Sequence, residues 1–148
     1  MNYRKAETKD IPQLIDLRKK QLIDEGLTPT NNIDIELKEY LLSSLSDGSL
    51  ISWITEDDGI IIATSGVCFY QLPPTYSNPT GKIAYITNMY TKNEYRCKGI
   101  ASKLLELVID EAKNQNYKIV RLHASSQGKS IYKKFGFKDS DGYMAMNL

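Results

Sequence analysis

The chain has 148 residues, enough for one domain (residues 1–148) that buries a core without disulfide or metal staples. Hydrophobic residues make up 41% and charged residues 25%, and the formal net charge is +1. That balance excludes a disordered or fibrous chain and supplies no global field for nucleic acid or an anionic membrane. Two cysteines, Cys68 and Cys97, are too few for a disulfide framework. The single histidine, His123, leaves no zinc spacing, so no metal is expected. The first residues, MNYRKAETKD, lack the apolar core of a signal peptide. No apolar run approaches the roughly 20 residues of a membrane span. A cytoplasmic location, with no nucleic-acid or membrane partner, is the expectation.

In chain order, NYRKA predicts a short strand. DIPQLIDLRKKQLIDEG predicts a helix, with Asp10 and Gln13 at capping-box spacing, Pro12 in the first turn and Gly26 as terminator. IDIELKEYLLSSLSDG predicts a second helix, with Ile33, Leu37, Tyr40, Leu41 and Leu45 on one side. LISWITE and IIATSGVCFY read as strands joined by a DDG hairpin. QLPPTYSNPTG is a Pro-rich loop, longer than a simple connection needs. KIAYITNMYT predicts a strand, IASKLLELVIDEAKNQN a strongly packed helix, and KIVRLH a buried strand. GKSIYKKF predicts a short helix, and FGFKDSDGYMAMNL a closing pair of strands around Asp141 and Gly142. Strand, helix and strand across residues 82–123 form one crossover, which calls for parallel pairing, while the hairpin before it calls for antiparallel pairing. The sheet should be mixed.

The stretch NEYRCKGIASKLL, from Asn93 to Leu105, joins a strand to the packed helix. A helix N-terminus offers unpaired N–H groups and a partial positive charge. Gly99 leaves the backbone open to a ligand, Ala101 keeps the next turn small, and Arg96 and Lys98 add charge. On these residues alone, an anion site and an ordinary basic helix start both remain open. Walker-type and dinucleotide-type glycine loops are absent.

The same stretch resembles the R/Q-x-x-G-x-G/A signature of the GNAT superfamily of N-acetyltransferases, with Arg96, Gly99 and Ala101 on the three named positions. IYKKFGF resembles the family's Y-x-x-x-G-F segment, and the element order also agrees over essentially the whole chain. The resemblance implies an α/β (α+β) fold: a mixed, mostly antiparallel sheet with a central splayed parallel strand pair, and helices on both faces. Acetyl-CoA, as cosubstrate, would lie where residues 82–91 part from residues 118–123. A β-bulge in TNMYT would free main-chain groups of Met89, Tyr90 and Thr91 for the pantetheine arm. The pyrophosphate would rest on the N–H groups of Arg96, Cys97, Lys98, Gly99, Ile100 and Ala101, with the Ser102 hydroxyl beside them. Ser125 stands where the family often has an Asn, and Cys97 where it often has a basic residue.

Tyr132 is the catalytic residue the resemblance implies. Acetyl transfer expels a thiolate of ordinary pKa about 8.5, and a phenol of about 10 can protonate it while remaining in its acid form at neutral pH. No general base is assigned. KIAYITNMYT carries no acidic residue, which leaves Tyr85, Glu25 from the helices, or a water relay. The expected reaction is direct attack by a primary amine in a ternary complex, since neither Cys has the setting of an activated nucleophile. The alternatives are a non-catalytic acetyl-CoA-binding sensor and an unrelated phosphate-binding protein. The acceptor would be a small-molecule or peptide amine, met by the first two helices and the Pro-rich loop, with Asp24, Glu25, Tyr40 and Tyr76 as candidates. Dimers are frequent in that family, so a homodimer is one implied state.

Overall fold

The computed structural model describes residues 1–140 and 142–148. Its elements are β1 (Asn2–Lys5), α1 (Ile11–Asp24), α2 (Asp34–Asp47), β2 (Leu50–Asp57), β3 (Ile60–Gln71), β4 (Lys82–Thr91), α3 (Ile100–Asn114), β5 (Val120–Leu122) and α4 (Lys129–Lys134). They form a five-stranded sheet in the order β1-β2-β3-β4-β5. The first three pairings are antiparallel, and β4 with β5 is parallel. The sheet is therefore mixed, as the hairpin and the crossover require.

Alternation along the strands gives the sheet two apolar faces. Leu50, Ile54 and Ile61 pack against Ile11, Leu14 and Leu17 of α1 and Leu41 of α2. On the opposite face, Val67, Ala84 and Ile86 pack against Leu105, Val108 and Ala112 of α3. Ile131 and Tyr132 of α4 join that second cluster beside Val120 and Leu122.

Three local expectations change. Asp10 and Gln13 do not form a capping box. The Asp10 carboxylate accepts the Glu7 N–H at 2.8 Å and both terminal nitrogens of Arg4, at 2.8 and 2.9 Å. Gln13 instead reaches the sheet, where its Oε1 accepts the Ile61 N–H at 2.8 Å. The strand expected over 118–123 shortens to Val120–Leu122 and is only half-buried, because among the described residues it has a paired neighbour on one side alone. The closing strand pair is not formed among the described residues, and Asp141, at its expected turn, lies outside them. The apolar residues of that tail, Tyr143, Met144 and Met146, are exposed, so alternation there finds no surface to bury against. The parallel pair consequently closes one end of the described sheet.

Candidate active site

β4 and β5 pair only as far as Ile86 and Leu122. Beyond that point β4 runs on to Thr91 while the other chain segment turns toward α4, and the two diverge. Between them opens a cavity of about 800 Å³. Its walls are Met89, Tyr90 and Thr91 on one side and His123, Ala124 and Ser125 on the other. The start of α3, the turn before α4 and the end of α1 complete it.

The β4 wall is irregular. Thr64 of β3 faces Tyr90, yet Gly66 faces Thr87, so β4 carries one extra residue there. Asn88 has a φ of 57°, and its carbonyl accepts the Thr64 hydroxyl at 2.7 Å. A bulge breaks the regular ladder, and this one lies within the TNMYT segment. The Met89 carbonyl is met by the Gln21 amide from α1 at 3.4 Å.

The far end of the cavity is the start of α3. Gly99 sits at φ 78°, a left-handed conformation in which an L side chain is strained, while a Cβ there would meet nothing. The glycine is thus required by the backbone, and the space above it is open. Among the described residues no side chain caps α3, so the first N–H groups of Ile100, Ala101 and Ser102 have no capping partner there. Cys97 is also left-handed, at φ 62°, and exposed.

Arg96 does more than add charge. Its Nε donates to the Thr91 carbonyl at 2.8 Å, its Nη2 lies 3.5 Å from Asp24, and the guanidinium sits 5.6 Å from the Tyr90 ring centroid. It ties the loop before α3 to the end of β4 and to α1. Lys98 does not line the cavity; its ammonium lies over the Tyr95 ring. Met89, Tyr90, Thr91, Arg96, Cys97, Gly99, Ile100, Ala101, Ser102, Ser125 and Tyr132 all do line it.

Tyr132 closes the opposite end. Its ring packs edge-on to Phe137 at 6.0 Å, and burial raises its pKa above the usual phenol value, with the Glu25 carboxylate adding to the shift. Among the described residues nothing takes the hydrogen bond of its hydroxyl. Gly128 holds the ring in place by its emptiness: a Cβ there would lie 2.8 Å from Tyr132 Cε2. The turn that presents Gly128 is closed by its N–H, which lies 3.2 Å from both the Ser125 carbonyl and the Ser125 hydroxyl.

Two smaller spaces continue past Tyr132. A polar cleft of about 120 Å³ is lined by Tyr132, Glu25, His123, Gln21, Arg18 and the bulged part of β4. It shares Arg18, Tyr85, Thr87 and Asn88 with a pocket of about 220 Å³ between α1, α2 and the sheet, walled also by Leu14, Leu37, Tyr40 and Cys68. The Tyr40 hydroxyl lies 3.3 Å from Cys68 Sγ, and burial together with that bond pushes its pKa up to about 12. Burial also raises the Cys68 thiol and the Tyr85 phenol. The Pro-rich loop lines none of these spaces, and Tyr76 is fully exposed.

A family model described as an acetyltransferase (GNAT) domain matches residues 48–139. The chain belongs to the GNAT acetyltransferase family. A predicted acetyltransferase from Clostridium acetobutylicum, solved with acetyl-CoA, shares 47% identity with a TM-score of 0.95, over 99% of this chain and 96% of that one. A GCN5-related N-acetyltransferase from Ralstonia eutropha JMP134 shares the fold at a TM-score of 0.91 with 24% identity, over 99% of this chain and 97% of that one. Thialysine N-epsilon-acetyltransferase of Mus musculus is 25% identical over 99 residues, covering 63% of this chain. The chain spans 30% and 56% of the length of the curated relatives it matches.

For this GNAT domain, the sequence located the loop, the bulge and Tyr132. It pointed to the first two helices and Tyr40, which wall the second pocket, but it did not locate Gln21, Gly128 or Arg18. Gly128 carried a faint signal, a glycine four residues before the tyrosine. Gln21 carried none, since a glutamine on an amphipathic helix reads as surface until tertiary contacts bury it.

Proposed function

We propose that this domain transfers an acetyl group from acetyl-CoA to a primary amine by direct attack in a ternary complex. The observation that carries this reading is the continuous path from the uncapped start of α3, through the gap between β4 and β5, to the free Tyr132 hydroxyl. Its two ends suit the two ends of the donor. The unpartnered N–H groups of Ile100, Ala101 and Ser102 suit a pyrophosphate, and the open Gly99 lets it approach. The bulged Met89–Thr91 segment offers main-chain groups to an amide-bearing arm. The solved Clostridium acetobutylicum relative, with its acetyl-CoA, supports the same donor here.

Tyr132 stands where the thioester end would arrive, and its raised pKa keeps the phenol proton available to a departing thiolate. Among the described residues, Glu25 is the only carboxylate, and His123 the only imidazole, lining the cleft next to it. The carboxylate missing from β4 is thereby offered from the end of α1, where it can attract an ammonium and receive its proton directly or through water. That arrangement favours an enzyme over a non-catalytic sensor.

Thiol release from acetyl-CoA over a panel of amines tests the reaction. Turnover with any amine supports the enzyme. A thermal shift with acetyl-CoA but no turnover on any amine would favour the sensor. Ligand at 100 times its dissociation constant stabilises by about 2.7 kcal/mol, so the shift is readily measured.

A further inference from the structure

Acceptor chemistry can be read from the distribution of charge along three adjoining spaces, each of which shares wall residues with the next. In the pocket between α1, α2 and the sheet, Arg18 is the only charged residue lining the wall among the described residues. Among the described residues its guanidinium meets no carboxylate, and its hydrogen bond is to the Gln21 side chain at 3.2 Å. The groups around it are neutral acids. Burial holds Tyr40, Cys68 and Tyr85 above their ordinary pKa values, and the Arg18 charge, which pulls each the other way, does not reverse this. A half-buried guanidinium in a neutral, partly apolar pocket has a strong unmet demand for an anion.

Carboxylates stand at the other end. Glu25 lines the cleft beside Tyr132, and Asp24 and Glu25 line the donor cavity. Arg18, Gln21 and Glu25 follow one another on one face of α1, and Gln21 bridges them: its Oε1 accepts from Arg18, and its Nε2 donates to Glu25 at 3.2 Å. Seven residues of helix advance about 10 Å. The face of α1 therefore presents a cation and an anion at a fixed separation along the path an acceptor must occupy.

We propose that the acceptor is an amino carboxylate, with its amine between Glu25 and Tyr132 and its carboxylate on Arg18. This rests on the acetyl-transfer reading above. The pocket, at about 220 Å³, suits a short chain rather than a folded protein surface. A carboxylate fits better than a phosphate, because among the described residues no second cation lines the pocket to balance a second negative charge. A polyamine fits badly, since its second ammonium would meet Arg18.

The test is a matched series of ω-amino carboxylates, from glycine to 6-aminohexanoate, each beside its carboxamide, the diamine of equal length and the aminoalkyl phosphonate. Thiol release gives kcat/KM, and calorimetry on the CoA-saturated protein gives affinity without turnover. At least one carboxylate should exceed its carboxamide by tenfold or more in both readouts. Arg18→Gln should bring that ratio close to one, Arg18→Lys should keep part of it, and Arg18→Glu should shift preference toward the diamine. A thermal shift with acetyl-CoA checks that each variant is folded. Equal handling of carboxylate and carboxamide by the wild type, an unchanged ratio in Arg18→Gln, or preference for the phosphonate would overturn the proposal. If no amine releases thiol, the acetyl-transfer reading fails, and the calorimetric ratio still decides whether Arg18 holds a carboxylate.

Discussion

The cavity at the start of α3 and the pocket beside α2 are walled by different parts of the chain. The first depends on backbone: an uncapped helix start, left-handed Gly99 and Cys97, and a bulged strand. The second depends on side chains brought from five elements, with Arg18 from α1, Tyr40 from α2, Ser52 from β2, Cys68 from β3 and Tyr85 from β4. Backbone devices constrain sequence at short range, so they leave spacing patterns. Walls assembled from distant side chains leave none, and they can change without disturbing the cavity at the start of α3.

Substitutions can break that division. The largest effect is expected from Gly99→Glu, which places a strained side chain and a negative charge at the open start of α3. It should abolish the thermal shift given by acetyl-CoA; a retained shift would mean that the N–H groups there do not hold the donor. Next is Tyr132→Phe, expected to lower kcat at least tenfold with little change in acetyl-CoA affinity. Because burial raises the Tyr132 pKa, the alkaline fall of kcat in the wild type should lie above the ordinary phenol value of about 10 and be absent from the variant.

Asp10→Asn acts on the scaffold that both regions share. The Arg4 pair holds the Asp10 pKa below its usual value, so its stabilisation is present above about pH 4 and is lost as pH falls through the folded pKa. Asp10 is only 4% exposed, and the variant should lose about 2 kcal/mol at pH 7 by denaturant unfolding, with a shallower acid dependence. Since Asp10 precedes α1, KM for the acceptor should rise more than that for acetyl-CoA. The smallest effect is expected from Gly128→Ala. The added methyl meets the movable end of the Tyr132 ring, so turnover should fall roughly fivefold, about 1 kcal/mol, while unfolding barely changes. A large loss of stability would instead make Gly128 a packing residue.

Legibility followed the same divide. Arg96, Gly99, Ala101 and Tyr132 stood at readable spacings, and the structure puts them around one cavity. Gln21 did not, because its 6% exposure and its bond to the Met89 carbonyl arise only when α1 docks on the bulge. The Pro-rich loop misled for a related reason. Length and proline content marked it as special, yet its turn is closed on itself by Thr75 and Asn78, away from every cavity described. In the tail, Tyr143 to Met146 had strand propensity but no partner strand among the described residues.

The extra residue in β4 also changes the phase of the strand. Before it, even-numbered Ala84 and Ile86 face α3, while Tyr85 and Thr87 face the pocket beside α2. After it, odd-numbered Met89 packs with the α3 cluster and even-numbered Tyr90 with the α1 cluster. Parity has reversed within three residues. One strand thus carries two reading frames, one serving the pocket beside α2 and the other the cavity at the start of α3. Residues at the junction can be exchanged, but gaining or losing a single one would turn every side chain beyond it to the wrong face.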